Sequence, residues 1–224
     1  MGLATAVATL CGGFPALRYR TDYTLLLGFS SGAVVGVALF DLLPEAGETG
    51  AAVLGTVGIA RCLAAGFATY GALDRARSML TGARGGHRGH LAAGSLMDGL
   101  GIGFGFQVSA SVGAVVAAAV LAHDVMDGAN TVAVTLRGGG DERSARLWLV
   151  ADVGAPLVGI GLASLASVPD AVLAGLLAAF AGVFLYIGPY DLLPRAYARN
   201  PVVRTAAAMG LGLAFVYAVV WLAG

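Results

Sequence analysis

Apolar residues fill this chain in long runs, separated by short breaks that carry turn-forming or charged residues. A bilayer's hydrocarbon core is about 30 Å thick and a helix rises about 1.5 Å per residue, so a run of roughly 17–25 apolar residues can cross it. Runs of this kind can be drawn over 1–17, 22–44, 51–72, 91–110, 113–136, 146–167, 170–193 and 202–223, which predicts eight spans. The breaks at Gly82 to Arg88, Gly138 to Arg143 and Ser167 to Asp170 hold the Gly, Ser, Pro and charged residues that end such runs. No linker divides the chain, so residues 1–224 are expected to form a single transmembrane domain. Met1 to Leu10 lacks a basic leader region and a cleavage site, and is expected to belong to the first span.

The basic residues test that count independently. All of them are arginines. Arg18 and Arg20 follow the first run, Arg75, Arg77, Arg84 and Arg88 the third, Arg137, Arg143 and Arg146 the fifth, and Arg195, Arg199 and Arg204 the seventh. The connections after the second, fourth and sixth runs have none. Under the positive-inside rule this alternation predicts cytoplasmic odd-numbered connections, both termini outside, and a multi-pass protein of the plasma (inner) membrane. Arg61 is the exception, in the middle of the third run, and is expected to face the bundle and a carboxylate.

Two short repeats add to the pattern. Phe40-Asp41-Leu42-Leu43-Pro44 closes the second run and Tyr190-Asp191-Leu192-Leu193-Pro194 the seventh, on opposite faces by the arginine count. Met97-Asp98-Gly99 in the fourth run is matched by Met126-Asp127-Gly128 in the fifth. Spans one to three and six to eight are therefore expected to be inverted repeats around a central pair, the construction in which transporters place their sites.

The polar residues inside these runs are the candidate chemistry: Asp41, Asp98, His123, Asp124, Asp127 and Asp152. Counting from the nearest arginine-side end, Asp98 lies about 10 Å deep, Asp127 about 15 Å and Asp152 about 9 Å. His123 and Asp127 are four residues apart on one helix face, with Asp124 flanking the same stripe. Each aspartate at a span centre costs about 2.5 to 3.5 kcal/mol unless paired, protonated or ligated. A divalent cation would settle that charge. Oxygen donors with one imidazole and no thiolate suit Zn²⁺, Fe²⁺, Mn²⁺ or Co²⁺. Prolines at 44, 156 and 194 also deprive the carbonyls of Phe40, Asp152 and Tyr190 of their helical partners. Glycines at 99, 101, 103 and 105 thin the fourth span and are expected to let it approach the fifth.

Composition narrows the choices. The chain is 58% hydrophobic and only 12% charged, with a formal net charge of +0, far from a soluble domain. No basic patch interleaved with aromatics exists, so nucleic acid is not an expected partner. Cys11 and Cys62 have no metal-binding spacing and are assigned to packing.

These residues resemble the ZIP (Zrt/Irt-like) divalent-metal transporters over nearly the whole chain. The likeness runs through LLLGFSSGAVVGVALFDLLPEA in the second span, SLMDGLGIGFGF in the fourth, HDVMDGANTVAV in the fifth and FLYIGPYDLLP in the seventh. The resemblance implies an all-α integral membrane protein, a bundle of eight transmembrane helices in a 3+2+3 arrangement, with a metal pathway along the fourth and fifth. It implies that Asp98, His123, Asp124, Asp127 and Asp152 hold the metal, that Asp41 lies near the outer entrance and that Asp191 lies at the exit. Ser95 stands where the family has an asparagine. Ser95, Asn130 and Gln107 are either ligands or interhelical hydrogen-bond partners.

The sequence departs from the family in Gly94 for a histidine, aspartates for glutamates, and Met97 and Met126 for prolines. A single-metal site is therefore the expectation. His87 and His90 form a thin version of the family's histidine-rich loop. The metal would be transported substrate, with no catalytic cofactor and no enzymatic reaction. A homodimer is one assembly such bundles adopt, although no residue argues for it. The competing function is an intramembrane metal-dependent hydrolase. Its zinc would need two or three histidines, and only His123 lies within a span.

Overall fold

A computed structural model of the chain describes residues 2–19, 24–85, 87–165, 167–198 and 200–223, with side chains except at 19, 24, 77, 78, 80–91, 119, 122, 123, 126, 137 and 223. Backbone in lipid must satisfy its own hydrogen bonds, and the chain does so by helix alone; no strand occurs among the described residues. The elements are α1 (Gly2–Tyr19), α2 (Thr24–Val37), a π-helical turn π1 (Ala38–Leu42), α3 (Leu43–Gly50), α4 (Gly55–Gly85), α5 (His87–Val108) and α6 (Ala110–Arg137). They continue with α7 (Glu142–Ser164), α8 (Asp170–Tyr186), a second π-helical turn π2 (Ile187–Leu192), α9 (Leu193–Tyr197) and α10 (Val202–Ala223). Because α2, π1 and α3 are continuous, as are α8, π2 and α9, the described residues form eight rods.

Five stretches are long and apolar enough to cross a membrane: Leu25–Gly50, Gly55–Ala76, Glu142–Ser164, Asp170–Tyr197 and Val202–Leu222. The chain is thus all-helical, with the helices of a multi-pass membrane protein. Its outer surface agrees. Leu3, Val7, Leu10 and Phe14 make an exposed stripe on α1, and Val203, Leu211, Phe215 and Trp221 another on α10. Apolar patches on this scale are rare on water-soluble monomers and are ordinary against lipid. The interior is built from small residues, such as Ala33, Val34 and Ala38 of the second rod and Ala174, Ala178 and Ala181 of the seventh. Two buried hydroxyls of α1 are satisfied locally, Thr9 Oγ1 donating to the Thr5 carbonyl at 3.0 Å and Thr5 Oγ1 to that of Gly2 at 2.8 Å.

The rods associate through four crossings of one design. A Cβ added to Gly12 of α1 would stand 1.6 Å from the Val125 carbonyl oxygen of α6, and one on Gly128 of α6 would stand 1.9 Å from that of Thr9. A Cβ added to Gly32 of α2 would lie 1.9 Å from Met209 O, and one on Gly212 of α10 would lie 2.0 Å from Phe29 O. Gly66 and Gly182 join α4 to α8 in the same way, each at 2.0 Å from the other helix's carbonyl. Gly99 and Gly159 join α5 to α7, where an added Cβ would lie 2.2 Å from Pro156 O and 2.4 Å from Leu96 O. Only glycine permits backbones this close, and small residues drive association where lipid is as apolar as the helix. The crossings exchange under the sequence repeats: α1·α6 answers to α7·α5, and α2·α10 to α8·α4. Gly32 and Gly182 occupy equivalent places in the longer repeat, and Gly99 and Gly128 are the last residues of the Met-Asp-Gly pair.

Several local expectations are corrected. Pro44 and Pro194 do not end their helices, which continue to Gly50 and Tyr197. The turn before each proline widens instead to a π-helix, with Leu43 N bonding Ala38 O and Leu193 N bonding Gly188 O. Gly99 and Gly103 approach α7, whereas of the same row Gly105 faces α6, where an added Cβ would lie 3.2 Å from Gly113 Cα. Alternate glycines of a helix cannot share one face, because two residues span about 200°. Arg61 is exposed rather than turned to a carboxylate, since it lies about 140° around α4 from the Gly66 seam. The backbone at His87 and His90 is helical, not loop; their side chains lie outside the described residues.

Candidate metal centre

α5 and α6 lie side by side, and each carries its aspartate immediately before a crossing glycine: Asp98 before Gly99, Asp127 before Gly128. Close approach of the helices at those glycines fixes the carboxylates where rods are tightest. Asp124, three residues before Asp127, joins them from the same face of α6. Asp98, Asp124 and Asp127 each offer an oxygen, and these oxygens all lie within 4.8 Å of one another. Asp98 and Asp124 are buried and Asp127 is half-buried.

Three carboxylates this close are a strongly cation-attracting arrangement. Two like charges at such a separation repel by about 3–4 kcal/mol at an effective dielectric of about 20, and a doubly positive guest reverses the sign. Comparison of the chain with protein-family models and with curated proteins gives no match. The site has therefore to be judged on its own chemistry. Its described donors are hard oxygens, the set that first-row divalent metals share with Mg²⁺.

Asp152 stands beside this group in a different employment. It is fully buried on α7, with Ser95 Oγ of α5 donating to Oδ1 at 2.6 Å and Thr131 Oγ1 of α6 donating to Oδ2 at 2.8 Å. One carboxylate thereby ties together the two helices that carry the others. Ser95, expected as ligand or hydrogen-bond partner, serves Asp152, and Asp152 braces the centre from outside the three-carboxylate group. Thr131 was not found from sequence reasoning. The signal was its place four residues past Asp127 on the same stripe.

The remaining candidates divide. The side chains of His123 and Met126 lie outside the described residues. Asn130, a turn beyond Asp127, is half-buried, and its Nδ2 meets no hydrogen-bond acceptor among the described residues. Gln107 is a structural bridge, donating from Nε2 to the Ala163 carbonyl at 2.6 Å and accepting from Val168 N at 3.4 Å. Asp41 and Asp191 lie in π1 and π2, outside the three-carboxylate group. A tyrosine also enters unanticipated: the charges of Asp98 and Asp127 act on the Tyr70 phenol of α4.

Proposed function

We propose that this protein carries a divalent transition-metal cation, Zn²⁺, Fe²⁺, Mn²⁺ or Co²⁺, across a membrane by exposing a site between α5 and α6 alternately to the two sides. The observation that carries this reading is the meeting of Asp98, Asp124 and Asp127 oxygens within 4.8 Å, inside a bundle whose outer surface is apolar. His123, one turn before Asp127 on α6, is the proposed nitrogen donor. The eight rods are read as eight spans in a 3+2+3 arrangement resembling the ZIP transporters, with both termini outside the inner membrane. Support comes from the crossings, which exchange as the sequence repeats do. The metal is cargo, so the protein is proposed to have no enzymatic role.

Purified protein in liposomes is expected to admit at least one of these ions down its gradient, and Asp127→Asn to reduce the flux by about tenfold or more. Tight liposomes that exclude all four ions with the wild-type protein would end this reading.

A further inference from the structure

Tyr70 lies on α4 four residues past the crossing glycine Gly66, and its ring packs on Tyr186 of α8 with centroids 5.6 Å apart. Tyr186 stacks on Tyr190 at 5.3 Å, and its hydroxyl donates to Asp74 Oδ2 at 3.1 Å. Phe67 meets both rings edge-on, at 5.4 and 5.9 Å. The charges of Asp191, Asp98, Asp74 and Asp127 all act on the Tyr70 phenol. One phenol therefore lies in the field both of two carboxylates of the centre and of Asp74 on α4 and Asp191 in π2.

The matched crossing supplies an internal control. Four residues past Gly212 on α10 stands Val216, and its neighbour on α2 is Gly36, where an added Cβ would lie 3.0 Å from Val216. Asp74 is matched in the same way by Val220. One crossing is thus made with valine and glycine and its counterpart with two tyrosines and an aspartate. Packing alone does not require the phenols or the carboxylate. Polar groups inside a bilayer are costly to keep and mark ion paths.

Resting on the transport reading above, we propose that Tyr70 is the outlet of the carboxylate centre, passing the cation from Asp98 and Asp127 to a vestibule of Asp74, Asp191, Tyr186 and Tyr190. The phenol oxygen takes the place of one ligand in the ion's shell as it leaves, and the faces of the stacked rings attract the charge. Arg195, ion-paired with Asp191, lowers the vestibule's net charge. A weak second station is what release requires.

The test measures Zn²⁺ and Mn²⁺ flux in liposomes and equilibrium binding in detergent for the wild type, Tyr70→Phe, Asp74→Asn and, as a control on the exposed face of α10, Tyr217→Phe. Tyr70→Phe is expected to keep its metal affinity within roughly threefold while maximal flux falls about fivefold or more with little change in KM. Asp74→Asn should act in the same direction, and Tyr217→Phe should transport as the wild type does. Flux through Tyr70→Phe and Asp74→Asn within about twofold of a transporting wild type overturns the outlet. So does loss of equilibrium binding in Tyr70→Phe, which would make the phenol a ligand of the centre. A wild type that binds metal and transports none overturns the parent reading, and the outlet with it.

Discussion

The two π-helical turns share an aspartate before Leu-Leu-Pro and differ in the charge that faces it. In π1 and the turn after it, Asp41 is followed at one helical turn by Glu45, so two acids face each other, and Thr49 Oγ1 donates to Glu45 Oε1 at 3.3 Å. Asp41 is buried, and its Oδ2 has no hydrogen-bond partner among the described residues. In π2 the position of Glu45 is taken by Arg195, which forms an ion pair with Asp191. The backbone differs too. Ser31 Oγ of α2 donates to the Gly188 carbonyl at 2.9 Å, whereas the matched positions in the other half are Ala181 and Ala38, which have no side-chain donor. The repeated turn is thus acidic in one copy, neutral and braced in the other. Under the transport reading, the first suits an entrance and the second an exit.

The comparison can be strained first at the backbone. Gly188→Ala places a methyl 2.7 Å from Val35 Cγ2 and 3.1 Å from the Ser31 carbonyl. It is expected to destabilise the protein by about 2–3 kcal/mol, seen as a lowered unfolding midpoint in detergent. The matched position already holds Ala38, so Ala38→Ser should be tolerated far better. Equal effects at the two sites would dissolve the asymmetry.

Next comes charge. Glu45→Arg gives the first turn the pairing of the second, and is expected to cut metal flux at low ionic strength by roughly tenfold, with the deficit narrowing as salt is added. Flux unchanged by the reversal would remove the entrance from π1. Ser31→Ala, which leaves the Gly188 carbonyl with Leu193 N alone of its two donors, should cost about 1 kcal/mol, while Ala181→Ser in the other copy should cost less or nothing. Denaturation of the two variants side by side decides it.

The smallest effect belongs to a cap outside both turns. Asp141 accepts a hydrogen bond from Ser144 N at 2.9 Å at the start of α7, and that bond holds its carboxyl below the ordinary carboxylate value. The stabilisation is present above the unfolded-state value of about 3.9 and is lost as pH falls through the lower folded value. Asp141→Asn should therefore narrow the stability difference between neutral and acid pH slightly. An unchanged pH profile would show that the cap does not hold in solution.

Much of this was legible in the sequence because lipid imposes simple rules. Apolar runs and arginine breaks located the rods, and depth arithmetic gathered Asp98, Asp127 and Asp152, of which the first two meet, with Asp124, in space while Asp152 stands beside them on Ser95 and Thr131. What stayed hidden depends on direction around a helix or on a local change of pitch. Composition does not say that Pro44 will be met by a π turn instead of a helix end, since both leave the residues apolar. Arg61 could not be aimed without the Gly66 seam, and the partner of Gly99 could not be named while α6 and α7 were both available. Thr131 and Tyr70 were invisible for another reason. A threonine or tyrosine within an apolar run is ordinary, and only the carboxylate it meets gives it meaning.

The central claim is that the three carboxylates between α5 and α6 hold a divalent cation. Equilibrium binding of Zn²⁺ and Mn²⁺ to purified protein tests it most directly, with Asp98→Asn, Asp124→Asn and Asp127→Asn compared against the wild type. The account predicts saturable binding by the wild type, weakened at least about tenfold by each substitution. Wild-type affinity and stoichiometry in all three variants would contradict it.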